Sequence, residues 1–143
     1  MQQQMNHRDA AFANFKKRLS AQAYFRIPYH SYTVPIRELL GSTWEQAFEH
    51  FESQRRSGMH WRHWHTIDID HIIPASWFVP MHEEWQQRAC FDYRNLRPEW
   101  ASLNRQRSAR RNLLAMVSDW ISLHDHHELR KWILCQERKI SSS

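Results

Sequence analysis

This chain of 143 residues predicts an α+β fold, on three observations. Helical periodicity fills the region up to about residue 58. Two short extended runs, one reaching Asp70 and one starting at Asn95, are separated by a long connection. Apolar residues at helical spacing then return in the last third. The expected architecture is a single domain over 1–143. A strand, loop, strand and helix core at about 60–108 lies between an N-terminal helical region (1–58) and C-terminal helices (109–140).

Taken in order, Phe12, Phe15, Leu19 and Ala23 recur at near-helical spacing within 6–25, with Lys16, Lys17 and Arg18 on the remaining surface, which predicts an amphipathic helix. Pro28, Tyr29 and Tyr32 mark an extended connector. Pro35 before Ile36-Arg37-Glu38-Leu39-Leu40 and Gly41 after it have the proline-first, glycine-last asymmetry of a short helix. Ser42-Thr43-Trp44-Glu45 reads as a capping box, and Trp44, Ala47, Phe48 and Phe51 then share one helix face. Two helices around a glycine turn resemble a helix-turn-helix reader of DNA. Glu45, Glu49 and Glu52 on the exposed side would repel phosphates, so the pair is assigned to packing.

Ser57-Gly58-Met59 is a turn, and the aromatic and β-branched run from His60 to Ile69 predicts a strand. Residues 75–93 form the long connection. Asn95-Leu96-Arg97-Pro98 predicts a second strand, and Glu99 onward reads as a helix through Trp100, Leu103 and Arg107. Leu113, Leu114, Val117, Trp120 and Ile121, then Leu129, Trp132 and Ile133, predict an antiparallel helix pair that breaks at His124-Asp125-His126-His127.

Composition narrows the function classes. The net charge of +5 is carried mostly by arginine, whose planar fork suits phosphate, and the pI of about 9.6 points to an anionic partner. No run approaches the roughly 20 apolar residues of a membrane span, and the start Met1-Gln2-Gln3-Gln4 lacks the features of a signal peptide, so a cytoplasmic protein is expected. Two cysteines, Cys90 and Cys135, without a paired motif suggest neither a disulfide framework nor a zinc ribbon. Eight tryptophans predict a core that leans on rings.

Hydrolysis of a phosphodiester needs a base for water, a cation to neutralise the phosphoryl oxygens and a scaffold that aligns them. Asp70 offers a hard carboxylate for Mg²⁺ or Mn²⁺, and its neighbour His71 offers an imidazole, the natural base near neutral pH. Asn104, on the expected helix, can supply an amide oxygen to the same ion. Two protein ligands leave the other positions for water and phosphate, the usual arrangement for magnesium.

These residues also carry a family resemblance. Ile69-Asp70-His71-Ile72-Ile73-Pro74-Ala75-Ser76, Asn95-Leu96-Arg97-Pro98 and Leu103-Asn104-Arg105 together resemble the signature of the HNH (ββα-metal) endonucleases in its Asp-His/Asn/Asn form. That form is shared by phage homing and nicking endonucleases and by the HNH domain of RNA-guided CRISPR nucleases. The similarity takes in Glu38-Leu39-Leu40-Gly41-Ser42, Phe51-Glu52-Ser53-Gln54, Gly58-Met59-His60-Trp61 and Cys90-Phe91-Asp92-Tyr93, so it covers about 36–108. The whole resembles small free-standing HNH proteins of phages and large viruses.

The resemblance implies His71 as general base, Asp70 and Asn104 as metal ligands, and Asn95 as the brace of the loop between the strands. It also implies double-stranded DNA as substrate, Mg²⁺ or Mn²⁺ as cofactor, no zinc, no membrane, and a phage-infected bacterial host as the setting. The constellation occurs once in the chain, which predicts a monomer or weak homodimer that nicks one strand at a time. Two departures stand out: Asn104 where most relatives have histidine, and His65-Thr66-Ile67-Asp68-Ile69 where relatives have a compact Trp-His-Ile run. Whether His65 or Asp68 supports the site is left open. Two other functions are weighed beside this one, a non-catalytic DNA-binding regulator on the same scaffold and a ribonuclease or nuclease toxin.

The remaining polar clusters are less specific. His60, His63 and His65 alternate and would share a strand face, yet with His82 they lack a convincing fourth zinc ligand. Arg105, Arg107, Arg110 and Arg111 follow the catalytic segment and are candidate DNA-binding residues, although a solvated helix face explains them nearly as well.

Overall fold

A computed structural model describes residues 6–28, 31, 34–78 and 80–106, and these form a mixed structure of helices and one small antiparallel sheet. Five helices, α1 (His7–Arg26), α2 (Ile36–Leu39), α3 (Trp44–Ser53), α4 (Glu84–Phe91) and α5 (Ala101–Gln106), accompany two strands, β1 (Ile67–His71) and β2 (Leu96–Trp100). The expected helix pair at 109–140 lies outside the described residues.

Helix α1 starts where the Asn6 side chain accepts from Asp9 N–H and buries a stripe of Ala11, Phe15, Leu19 and Ala23 at four-residue spacing. Gly41 ends α2 in the left-handed region (φ +68), a conformation that costs glycine little. The capping box of α3 is one residue later than the sequence suggests. Thr43 caps Gln46 N–H and the Gln46 side chain accepts from Thr43 N–H, so Thr43 and Gln46, not Ser42 and Glu45, are the reciprocal pair. From α3 the face bearing Ala47, Phe48 and Phe51 closes on α1. Phe15 and Phe51 rings lie 4.9 Å apart and Phe48 and Trp61 5.3 Å apart. Glu52, on the side expected to be merely solvated, accepts from Arg8 and from Trp61 Nε1 (2.6 Å) and ties α1, α3 and the following turn together.

Three local expectations are corrected. Residues Trp61–Thr66 form 3-10 turns rather than the first part of a strand. Trp61 and Trp64 are three residues apart, the period of that helix, and both turn inward, so burying two rings overrides their strand preference. Strand β2 runs on through Glu99 and Trp100, so α5 begins at Ala101. Glu99 is 1% exposed and its carboxylate receives Arg56 and the Trp100 N–H, which holds the chain extended. The long connection is itself ordered, with a 3-10 turn at Ala75–Phe78 and helix α4.

Ile67, Asp68, Ile69, Asp70 and His71 pair with Trp100, Glu99, Pro98, Arg97 and Leu96 respectively. Ile72 N–H donates to Asn95 O at 2.8 Å and continues the same register. The mutually bonded pairs are therefore Asp68 with Glu99 and Asp70 with Arg97, while Ile67, Ile69 and His71 turn their backbone groups away from β2. Pro98, which has no N–H, sits at one of the positions where none is needed. On the outer edge of β1, Arg18 donates to Ile67 O (2.8 Å) and Gln22 Nε2 lies 3.5 Å from Ile69 O, so α1 covers that edge.

Candidate functional site

His71 is the last residue of β1 and is buried at 5% exposure. Its Nδ1 lies 2.9 Å from the Cys90 carbonyl, its Nε2 2.9 Å from the Gln22 amide oxygen, and its ring meets Phe91 edge to face. A carbonyl can only accept, so Nδ1 carries the proton toward Cys90. Burial is the main cause that lowers the His71 pKa to about 4, with a smaller push from the charge of Arg26. The Cys90 hydrogen bond and the Asp70 carboxylate oppose it. Near neutral pH the ring is therefore uncharged, with its remaining lone pair on Nε2.

Asn95 closes the opposite side of the same junction and is fully buried. Its side-chain oxygen accepts from Ile73 N–H (2.8 Å), and its amide nitrogen donates to Cys90 O (2.9 Å) and Ile73 O (3.3 Å). One asparagine thus stitches the chain leaving β1 to the end of α4 and the entry to β2. The Cys90 carbonyl, shared by His71 and Asn95, is the node of this arrangement. Burial pushes the Cys90 thiol up in pKa, and its Sγ lies 3.7 Å from His71 Nδ1, beside the carbonyl contact.

Asp68 and Asp70 alternate on β1 and share the face opposite to Ile67, Ile69 and His71. Asp70 receives Arg97 Nε at 2.9 Å, directly across the ladder. Asp68 lies 3.5 Å from Arg18 Nη1 and receives Asn104 Nδ2 at 3.3 Å. Asn104 is thus brought to β1 by α5, where its amide nitrogen meets the Asp68 carboxylate. Asn104 turns its amide nitrogen to the carboxylate, so its amide oxygen is the end a cation would take. Carboxylate and amide oxygens are hard donors of the kind Mg²⁺ and Mn²⁺ prefer, and the set is chemically suited to such an ion. Among the described residues no group of three His, Cys, Asp or Glu side chains gathers around one point.

Of the arginines expected beside the site, only the backbone of Arg105 is described, within α5, and Arg107, Arg110 and Arg111 lie outside the described residues. Because 61–66 is not a strand, His60, His63 and His65 do not share a strand face. All three are exposed, and His82, also exposed, has its Nδ1 at 2.9 Å from Ser31 Oγ. Three contributors escaped the sequence reading: Gln22, Arg97 and the Cys90 carbonyl. Only Arg97 carried a signal, since register alone puts it across from Asp70.

No protein-family model, no curated protein and no solved structure matches the chain.

Proposed function

We propose that the protein is a metal-dependent DNA endonuclease of the HNH kind that hydrolyses phosphodiester bonds, with His71 as general base. The observation that carries this reading is the Cys90 carbonyl node. Anchoring Nδ1–H there fixes the imidazole tautomer and leaves Nε2 as the basic nitrogen, and Asn95 fixes the carbonyl itself. The carboxylates of Asp68 and Asp70 lie on the other face of the strand that ends in this base, and Asn104 reaches Asp68 from the adjoining helix. Asp70 and Asn104 would hold a Mg²⁺ or Mn²⁺ ion, with Asp68 orienting Asn104. Such an ion, when bound, neutralises phosphoryl oxygens and lowers the pKa of a bound water.

The residues of the chain then have distinct tasks. His71 takes the proton of the attacking water at Nε2. Cys90 O favours the imidazolium that forms by accepting Nδ1–H. Arg97, now paired with Asp70, is placed to take a phosphate oxygen when that carboxylate turns to a cation. The positive charge of the chain and the resemblance of its motifs favour DNA as the substrate.

The test is incubation of the purified protein with supercoiled plasmid and, separately, with RNA, with and without Mg²⁺. Open-circle product is expected before linear product, only with the metal, and His71→Ala is expected to slow cleavage by about 10²–10⁴-fold. Undiminished cleavage by that variant overturns the assignment of His71. Cleavage of RNA alone, or binding without cleavage, selects the ribonuclease or the regulator instead.

A further inference from the structure

Helix α1 reaches His71 through one side chain that the nuclease reading does not use. Gln22 lies four residues after Arg18 on the face of α1 that covers the outer edge of β1. Its amide sits on Nε2 of His71, the nitrogen that must meet water. We propose that Gln22 is a cap on the base: α1 holds the resting site closed through this contact, and the Gln22 side chain swings off His71 Nε2 before each round of hydrolysis. This rests on the nuclease reading for its purpose, though not for its geometry.

The local hydrogen bonding explains why such a cap can be removed. The amide oxygen of Gln22 lies 2.9 Å from His71 Nε2, while its amide nitrogen reaches Ile69 O only at 3.5 Å, the outer limit of a hydrogen bond. The cap is therefore held by one close contact, and its side chain is half-buried on a helix surface. Asn95, whose side chain makes three hydrogen bonds to buried backbone groups, contrasts with it.

Two variants test the cap. Gln22→Ala removes the side chain, and Gln22→Met keeps its length and apolar stem without the amide, so a folded protein is available if the shorter one fails. Two measurements are made on each. One is the rate at which diethyl pyrocarbonate, which acylates accessible neutral imidazole nitrogen, labels His71 in the metal-free protein, read by mass spectrometry of the peptide. The other is the single-turnover rate of plasmid nicking with saturating protein and Mg²⁺. Both variants are expected to label His71 faster and to nick faster, each by about twofold to tenfold, the worth of one neutral hydrogen bond. Labelling that is unchanged in both variants overturns the cap, whatever the chain does to DNA. Faster labelling with slower nicking also overturns it, because Gln22 would then be positioning the base rather than covering it. Faster labelling in a chain that never cuts nucleic acid, unmodified or varied, upholds the cap and removes the nuclease reading.

Discussion

The ring cluster between α1, α3 and Trp61 and the polar seam that joins β1, α4 and β2 are held together by different physics. In the first, Phe15, Phe48, Phe51 and Trp61 are buried with centroids about 5–6 Å apart, and the attraction is spread over many weak, non-directional contacts. In the second, Asn95, His71 and the Cys90 carbonyl each depend on a few hydrogen bonds of fixed direction. A packed cluster yields gradually when one ring shrinks, whereas a polar seam loses geometry at once, because an unmatched buried donor or acceptor has no water to turn to. The first kind of region suits a support and the second suits a site that must hold a base in one orientation.

The largest expected effect lies in the support. Phe48→Ala removes a ring that touches Phe12, Phe15, Phe51 and Trp61, and should lower the unfolding free energy by about 3–5 kcal/mol in a urea titration. A loss below 1 kcal/mol would show that the cluster is loosely packed and would break the comparison.

Acid should separate the two regions by nearly as much. His71 has a folded-state pKa near 4, below the ordinary 6.5, so the unfolded chain binds the proton more readily between those values. The stability this residue contributes is complete above about pH 6.5 and is lost progressively as the pH falls toward 4. The full shift corresponds to about 3 kcal/mol. Urea titrations at pH 7 and pH 4 on the metal-free protein should show that His71→Gln loses less stability over this window than the unmodified chain, by about that amount. Equal losses would mean that the imidazole is hydrated in the folded state. Asn95→Ala acts on the same seam without charge. It strands Ile73 N–H and Ile73 O, removes one of the two donors to Cys90 O, and should cost about 2–3 kcal/mol by the same titration.

The two regions also differ in how far the sequence disclosed them. The stripe of Phe15, Leu19 and Ala23 and the face of Ala47, Phe48 and Phe51 follow from helical periodicity, because burial acts on position along an element. The ends of the strands were misplaced for the same reason turned round. The ring-rich 61–66 and the pair Glu99 and Trp100 owe their conformation to distant partners, Phe48 and Phe51 for Trp61 and Arg56 for Glu99. Helix α4 was hidden because its buried residues include Gln87, which packs inward by donating to Ser31 O and Met81 O. In the seam, Asp70, His71, Asn95 and Asn104 could be singled out by residue type and order. Asp68 as the partner of Asn104, the Cys90 carbonyl and Gln22 could not, since a backbone oxygen has no residue type and a helix 49 positions away in sequence sends no signal through spacing.

The smallest expected effect tests whether directional bonds outside the seam behave like those within it. Thr43 and Gln46 exchange hydrogen bonds at the start of α3, both at 3.1 Å, and both side chains are exposed. Here water can replace a lost partner, so Thr43→Ala should cost only about 1 kcal/mol, the usual worth of an N-cap, and should leave the His71 contacts untouched. Urea unfolding measures the first and diethyl pyrocarbonate labelling of His71 the second. A cost equal to that of Asn95→Ala would mean that burial does not set the worth of these bonds. An altered His71 labelling rate would mean that α3 and the seam are one cooperative unit, and the division between support and site would fail.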